Sequence, residues 1–166
     1  MISPEIIRRY PIFAGFSHEQ IVILADSGAI QSVEEGYRFF EEGDKLDTVY
    51  LVQEGEVAIV MALPDASASQ PVAGQLTGEI VTRDAVMSTD GPGTMFGWSG
   101  FVPPFDASAG AVAMSPSTVI VFDAARLRQA FEEDCAFGFA MMEKLVQIAK
   151  NRLMDIHMET LAFISD

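Results

Sequence analysis

Glycine turns divide the chain after residue 28 into short apolar segments. Gly36, Gly43 and Gly55 each follow a glutamate, and glycine readily adopts the positive φ that tight turns between strands require. The segments that these turns separate are rich in β-branched and aromatic residues: 30–33, 37–40, 48–52 and 57–61. Strands that recur about every ten residues are typical of sandwiches, jelly rolls and barrels. The sequence therefore predicts a mainly β fold for residues 29–122.

The second half of this region is less regular. Residues 64–77 are rich in alanine, serine, glycine and proline, which predicts a flexible hairpin loop, with a lid or partner-binding loop as the alternative. Strand signals return at residues 79–83 and 85–87 and again at 117–122.

Helices are predicted on both sides of the strands. Ser3 and Ser17 are typical N-caps and open two short helices within residues 1–28. Asp123 caps a helix over 124–133, and a long helix without proline, weakened only by Gly138, runs from about 134 to 163. We expect one domain: N-terminal helices (1–28), a β-roll (29–122) and C-terminal helices (123–166).

The long helix carries apolar residues in alternating steps of four and three. They are Met142, Val146, Ala149, Leu153 and Ile156, continued by Thr160 and Phe163. This spacing is typical of a coiled-coil seam. About 25 helical residues span about 37 Å, which is longer than a small roll can cover. The sequence predicts a homodimer along this helix; the alternative is that the helix packs only on its own β domain.

Charge and composition exclude several classes of function. The net charge is −14 with only ten lysines and arginines, which argues against direct nucleic-acid binding. One cysteine and two histidines distant in sequence provide neither a disulfide framework nor a plausible metal site. The sequence contains no apolar run long enough for a membrane span and no signal-peptide core. We expect a cytoplasmic, non-enzymatic protein without a cofactor.

The stretch from Gly91 to Ala113 combines a Gly/Pro turn, a short loop and a strand of small residues. A loop with free backbone N–H groups is a natural cradle for an anion. Such a site normally also supplies a cation, yet no lysine or arginine occurs between Arg83 and Arg126.

The order of these elements resembles the cyclic-nucleotide-binding domain of the catabolite-activator/FNR superfamily and of the kinase regulatory subunits. The segments that carry the resemblance are 11–16 (PIFAGF), 40–44 (FEEGD), 49–52 (VYLV), 54–57 (EGEV), 91–93 (GPG), 96–97 (FG) and 108–113 (SAGAVA). The resemblance implies a double-stranded β-helix (jelly roll) plus a long C-terminal helix, and a cassette that binds a cyclic phosphate.

This chain departs from the family's cassette at its two charged positions. The glutamate that accepts the ribose hydroxyl is replaced by Trp98, and the arginine that neutralises the phosphate by Ala107, or by Asp106 if the loop shifts by one residue. Ser108 and Ala109 match the family. The resemblance thus implies a ligand pocket at Phe96, Gly97, Trp98, Ser99, Ala107, Ser108 and Ala109 that has lost its chemistry. A substitute cation could come from Lys150 or Arg152 of the long helix.

The resemblance implies a regulatory or sensor module that does not bind cyclic AMP or cyclic GMP in the standard way. A small-molecule effector of unknown identity would sit between the roll and the long helix, in a pocket made apolar by Trp98, Phe96, Phe101 and Phe105. If these aromatic residues instead fill the pocket as core, the chain is a ligand-free dimeric scaffold. A third alternative is cyclic-nucleotide binding by an altered cassette.

In transcriptional regulators of this group the long helix leads through a hinge into a helix-turn-helix module. Residues 161–166 (LAFISD) resemble that hinge. The alternatives are a stand-alone sensor domain and a chain cut at the hinge, and the length of the sequence favours the former.

Overall fold

The computed structural model describes residues 2–65 and 81–165. Two short helices, α1 (Pro4–Arg8) and α2 (His18–Ser27), flank a 3-10 turn at Pro11–Phe13. The predicted capping box is present at α2, where the Ser17 hydroxyl accepts from the Gln20 N–H (3.2 Å) and the Gln20 side chain accepts from the Ser17 N–H (3.0 Å). These bonds satisfy N–H groups that a helix start leaves without partners.

Eight strands follow in the described part of the chain, and all of them pair antiparallel. They are β1 (Gly28–Val33), β2 (Arg38–Phe40), β3 (Thr48–Glu54), β4 (Val57–Pro64), β5 (Thr82–Asp90), β6 (Met95–Phe96), β7 (Gly110–Ala113) and β8 (Ser117–Asp123). They form two four-stranded sheets with the orders β1-β8-β3-β6 and β2-β7-β4-β5. The predicted mainly β jelly roll with a long C-terminal helix is confirmed.

The strand signals predicted at 79–83 and 85–87 fall on β5 where the structure describes them, and residues 79 and 80 lie outside the described residues. One strand runs from Thr82 to Asp90 and pairs with β4 along its length, with one irregularity between Ile59 and Val60. Because β5 is the edge of its sheet, most of its residues are exposed, and polar residues such as Asp84 do not interrupt it. Most of the predicted 64–77 loop lies outside the described residues.

β3 is buried on both faces and lies between two separate cores. Successive side chains of a strand point to opposite faces. Tyr50 and Val52 therefore lie inside the roll with Phe40, Ile59 and Phe96. Val49 and Leu51 face the other way, into a core shared with the N- and C-terminal helices. This arrangement explains why residues 48–52 read as a nearly continuous apolar run.

Two helices complete the fold, α3 (Ala124–Glu133) and α4 (Cys135–Ser165). The Asp123 carboxylate accepts from the Arg126 N–H (2.9 Å), as predicted for the cap of α3. At the junction of the helices, a Cβ on Gly138 would lie 2.9 Å from Cβ of Phe131. Glycine at this position, read from sequence only as a weak point, lets α4 pack tightly against α3.

One face of α4 secures the helix to the domain. Phe137, Met141 and Leu145, spaced four residues apart, are buried in the helix-side core.

No helix in the described parts of the chain is long and apolar enough to cross a membrane.

Candidate functional site

The cassette loop turns at Gly97, which has a φ of 71° and precedes a 3-10 turn at Trp98–Phe101. A side chain here would be strained by the left-handed backbone. Its Cβ would also lie 3.2 Å from the rings of Phe40 and Tyr50. The backbone of the loop therefore packs directly on the aromatic residues of the roll.

Six of the seven predicted pocket residues line one small cavity. They are Gly97, Trp98, Ser99, Ala107, Ser108 and Ala109. Phe40 and Ile59 of the roll also line it, and its volume is about 30 Å³. We call this the cassette cavity. Phe96, the seventh residue, is fully buried in the roll, where its ring stacks on that of Tyr50 with centroids 4.9 Å apart.

The other aromatic residues of the stretch have different roles. Phe101 belongs to the helix-side core, and Trp98 packs against the edge of that core while also lining the cassette cavity. The Arg128 guanidinium lies over the ring of Phe105, and its Cζ is 4.3 Å from the ring centroid. Arg128 also donates to the Gly100 carbonyl (2.5 Å), so α3 holds the cassette loop in place.

Backbone amides of the cassette differ in their availability. The Ala107 N–H donates to the Asp44 carbonyl, and the Ala107 carbonyl accepts from the Gly43 N–H, both at 2.8 Å. Ala107 is thus fixed as part of the fold, and its side chain is buried. Within residues 2–65 and 81–165, no acceptor is found for the N–H groups of Ser108 and Ala109. These two amides are the N–H groups of the cassette that a ligand in the cavity could use.

A cation does reach the cassette, from the long helix. Arg152 of α4 lines the cassette cavity, whereas Lys150 does not and is exposed. Nη2 of Arg152 donates to both carboxylate oxygens of Asp90, at 2.8 and 2.7 Å. Asp90, at the end of β5, is 5% exposed. Of the two substitutes considered from the sequence, Arg152 is therefore the one that the fold brings to the site.

The ion pair sets the protonation behaviour of Asp90. Burial raises the pKa of the Asp90 carboxyl, because a charge in a poorly hydrated site is costly, and the charge and hydrogen bonds of Arg152 act in the opposite direction. The positive charge of Arg152 is thus balanced by the Asp90 carboxylate, which contacts Nη2 alone.

A much larger cavity, of about 730 Å³, lies between β5 and α4. We call it the β5–α4 groove. Its walls are Pro11, Ile12, Met87, Ser88, Thr89, Asp90, Gly93, Thr94, Lys144, Gln147, Ile148, Asn151, Arg152 and Asp155. Arg152 is the residue common to the groove and the cassette cavity.

The predicted seam of α4 lies away from the buried face of the helix. Val146 and Leu153 are 66% and 54% exposed, and Met142 and Ala149 are half-buried. The side chain of Ile156 is outside what the structure describes. Sequence reasoning missed Phe139, which is 67% exposed and continues the row at the same seven-residue spacing.

In the described part of the chain, no group of three or more histidine, cysteine, aspartate or glutamate side chains could hold a metal ion.

Comparison with known proteins identifies the family. The sequence model of the cyclic nucleotide-binding domain matches residues 30–134, more than half of the chain. The chain therefore belongs to the cyclic nucleotide-binding domain family. None of the curated proteins compared with it is significantly similar in sequence.

Solved structures agree with this assignment. A putative cyclic nucleotide-binding protein from Geobacter metallireducens is 29% identical, with a TM-score of 0.72, and the match covers 92% of this chain and 99% of that one. A cyclic nucleotide-binding domain from Methylobacillus flagellatus is 20% identical (TM-score 0.71; 95% and 80% covered). The sensor domain of the transcriptional regulator DNR from Pseudomonas aeruginosa is 17% identical (TM-score 0.66; 92% and 91% covered). The fold is that of the cyclic nucleotide-binding domain.

Proposed function

We propose that this protein is a non-enzymatic, cytoplasmic sensor module whose cassette is not a standard site for cyclic AMP or cyclic GMP. The observation that carries the proposal is the size of the cassette cavity. Pockets for small molecules typically enclose roughly 300 to 1,000 Å³, whereas this one encloses about 30 Å³. Phe40, Ile59 and Trp98 occupy the space around it.

The charges at the cassette support the same conclusion. A bidentate arginine–phosphate contact is about twice as strong as a neutral hydrogen bond. Ala107 cannot make one, and Arg152, the cation that lines the cavity in the described residues, is paired with Asp90. At the cassette, a cyclic nucleotide would therefore meet a cation whose charge is already balanced by Asp90, beside the Ser108 and Ala109 amides.

Calorimetric titration with cyclic AMP, cyclic GMP and a cyclic dinucleotide tests the proposal. We expect no binding tighter than about 10 μM, which corresponds to about −7 kcal/mol. Tighter binding would contradict it. Repeating the titration with Arg152→Gln then identifies the reason, because loss of binding in that variant would indicate an altered cassette that uses Arg152 as its cation.

The β5–α4 groove is where we propose that a different effector binds. Its volume of about 730 Å³ falls within the range of ligand pockets. Apolar residues such as Ile12 and Ile148 lie beside polar ones such as Gln147 and Asn151 along its walls. An effector here would contact β5 and the long helix at once, which is the contact a sensor needs.

We further propose that the protein is a homodimer joined along α4. Phe139, Val146 and Leu153 recur every seven residues, and each is more than half exposed. A row of this kind is costly to leave in water and matches one edge of a coiled-coil seam. The scaffold alternative shares this dimer but has no effector.

Light scattering on Val146→Glu/Leu153→Glu tests the dimer. We expect the wild type to have twice the mass of the chain and the double variant to be monomeric, because buried glutamates would face each other across the seam. The matched control is Met154→Glu/Met158→Glu, which charges two exposed methionines on another face of α4 and should remain dimeric. A monomeric wild type, or a dimeric seam variant, would refute the dimer.

A further inference from the structure

The arginine shared by the two cavities has donors that the fold does not use. Both contacts to Asp90 come from Nη2. Nε and Nη1 of Arg152 have no hydrogen-bond partner among residues 2–65 and 81–165, although the side chain is only 20% exposed. A guanidinium presents its N–H groups in a fixed fork that matches a carboxylate or a phosphate. Nη2 belongs to both edges of the fork, so Asp90 takes one member of each edge. The N–H groups of Nη1 and Nε remain available, on opposite sides of the guanidinium.

We propose that Arg152 anchors a small aromatic anion, a carboxylate or a phosphate ester, whose ring lies in the β5–α4 groove. This inference rests on the proposed function, since it names the class of effector for that groove. The anionic head would accept from Nη1 of Arg152 while Asp90 keeps Nη2. The ligand thus needs neither the cassette arginine that this chain lacks nor disruption of the ion pair.

The walls of the groove suit an aromatic body. Pro11 and Ile12 come from the turn after α1, Met87 from β5 and Ile148 from α4, so apolar atoms are contributed from three directions. Ser88, on β5, has a buried hydroxyl without a hydrogen-bond partner in the described structure. A buried hydroxyl of this kind is costly, and a ligand atom in the groove could satisfy it.

The charges that face the groove favour an anion more than the net charge of −14 suggests. They are Lys144, Arg152, Asp90 and Asp155, two positive and two negative. Asp90 is already paired, and Asp155 is exposed to solvent, which screens its charge. Lys144 forms no ion pair with any described residue, so its charge also remains available to attract an anionic ligand.

The test uses two probes with one aromatic ring, phenylacetate and phenyl phosphate, and the neutral phenylacetamide as the matched control. Titration of the full chain would be followed by NMR through the Arg152 Nε–Hε signal and the amides of residues 87–94. We expect at least one anion to bind with a dissociation constant of about 1 mM or tighter, a value in keeping with such small ligands, and to shift the Arg152 signal. We expect the amide to bind at least tenfold more weakly, and the stronger of the two anions identifies the preferred head group.

Charge-removal variants then assign the anchor. Arg152→Gln should weaken binding at least tenfold, whereas Lys150→Gln, which removes an exposed charge two residues away, should change it less than twofold. Asp90→Asn/Arg152→Gln removes both charges together and keeps two side chains that can hydrogen-bond, so it tests the anchor even if the single variant folds poorly.

The inference is overturned if neither anion binds below 10 mM, if phenylacetamide binds as tightly as the anions, or if Lys150→Gln weakens binding as much as Arg152→Gln. This test can fail independently of the proposed function. Tight binding of cyclic AMP would refute the proposed function, whereas the binding of the aromatic anions decides only the inference about the groove.

Discussion

The cassette cavity and the β5–α4 groove share one side chain, Arg152, yet they differ in volume by more than twentyfold (about 30 and 730 Å³). The cassette cavity opens into the roll, where Phe40 and Ile59 are buried and belong to the close-packed core. The groove lies along an edge strand, where residues such as Met87 and Thr89 are exposed.

This difference in volume follows from where each cavity lies in the fold. Inside a roll, aromatic and aliphatic side chains close the space, because unfilled volume in a core is costly. Between a sheet edge and a helix, water can fill the gap, so the space can stay open. The cassette cavity is therefore bordered by core side chains, whereas the groove lies at an accessible edge of a sheet.

The largest expected effect is a difference in stability between substitutions at the two cavities. Phe40→Ala should lower the free energy of unfolding by about 3 kcal/mol, because Phe40 is 9% exposed and contacts the rings of Tyr50 and Phe96. Ile12→Ala, in the wall of the groove, should cost about 1 kcal/mol because Ile12 is half-buried. Urea unfolding measures both, and equal losses would mean that the groove is core as well.

An intermediate effect concerns the ion pair between the cavities. Arg152→Gln leaves the Asp90 carboxylate buried without its cation, and we expect a loss of about 2 kcal/mol at pH 7. The pKa of Asp90 is already raised by burial, and removing Arg152 raises it further. A carboxyl with a raised pKa in the folded state contributes stability that is present below its unfolded pKa of about 3.9 and is lost as the pH rises.

The deficit of Arg152→Gln should therefore be small near pH 4 and grow towards pH 7. Urea unfolding at both pH values measures it, and Asp90→Asn/Arg152→Gln is the control, since it removes the titrating group. A deficit of the same size at both pH values would show that the loss is one of packing rather than of charge.

The smallest effect tests the backbone of the cassette loop. Gly97→Ala should cost about 1 to 2 kcal/mol, since it forces a φ of 71° on alanine and brings Cβ within 3.2 Å of two rings. Gly91→Ala is the control, because Gly91 lacks a positive φ and has no atom within 4 Å of a built Cβ. Equal losses in thermal unfolding would mean that the loop can adjust and is not fixed against the roll.

Much of the fold could be predicted because its signals are local. The capping box at Ser17 and the turn glycines depend only on neighbouring residues, and the apolar run of β3 reports burial on both faces directly. The continuity of β5 through Asp84 was harder to predict, because the exposed positions of an edge strand tolerate polar residues such as Arg83 and Asp84. An edge strand pairs with only one neighbouring strand, and the alternation of apolar and polar residues in a sequence does not reveal this.

The cassette residues could be grouped from the sequence, because Gly97–Ser99 and Ala107–Ala109 follow the order of the family. The position of Arg152 could only be raised as an alternative, because it depends on how a helix beginning 28 residues after Ala107 returns to the roll. Asp90 showed no signal beyond being a carboxylate at a strand end. Phe139 could have been found, since it lies three residues before Met142 and continues the same heptad spacing.

The ion pair between Arg152 and Asp90 also marks a position along α4 from which the remaining length of the helix can be measured. It is the last ion pair of α4 with the roll in the described structure, and Ser165 lies 13 residues further along the same helix. This part of the helix is about 20 Å long at 1.5 Å per residue. A change of about 10° in the helix direction at Arg152 would displace Ser165 by about 3.5 Å, so a small rearrangement at the ion pair corresponds to a larger displacement at the end of the helix.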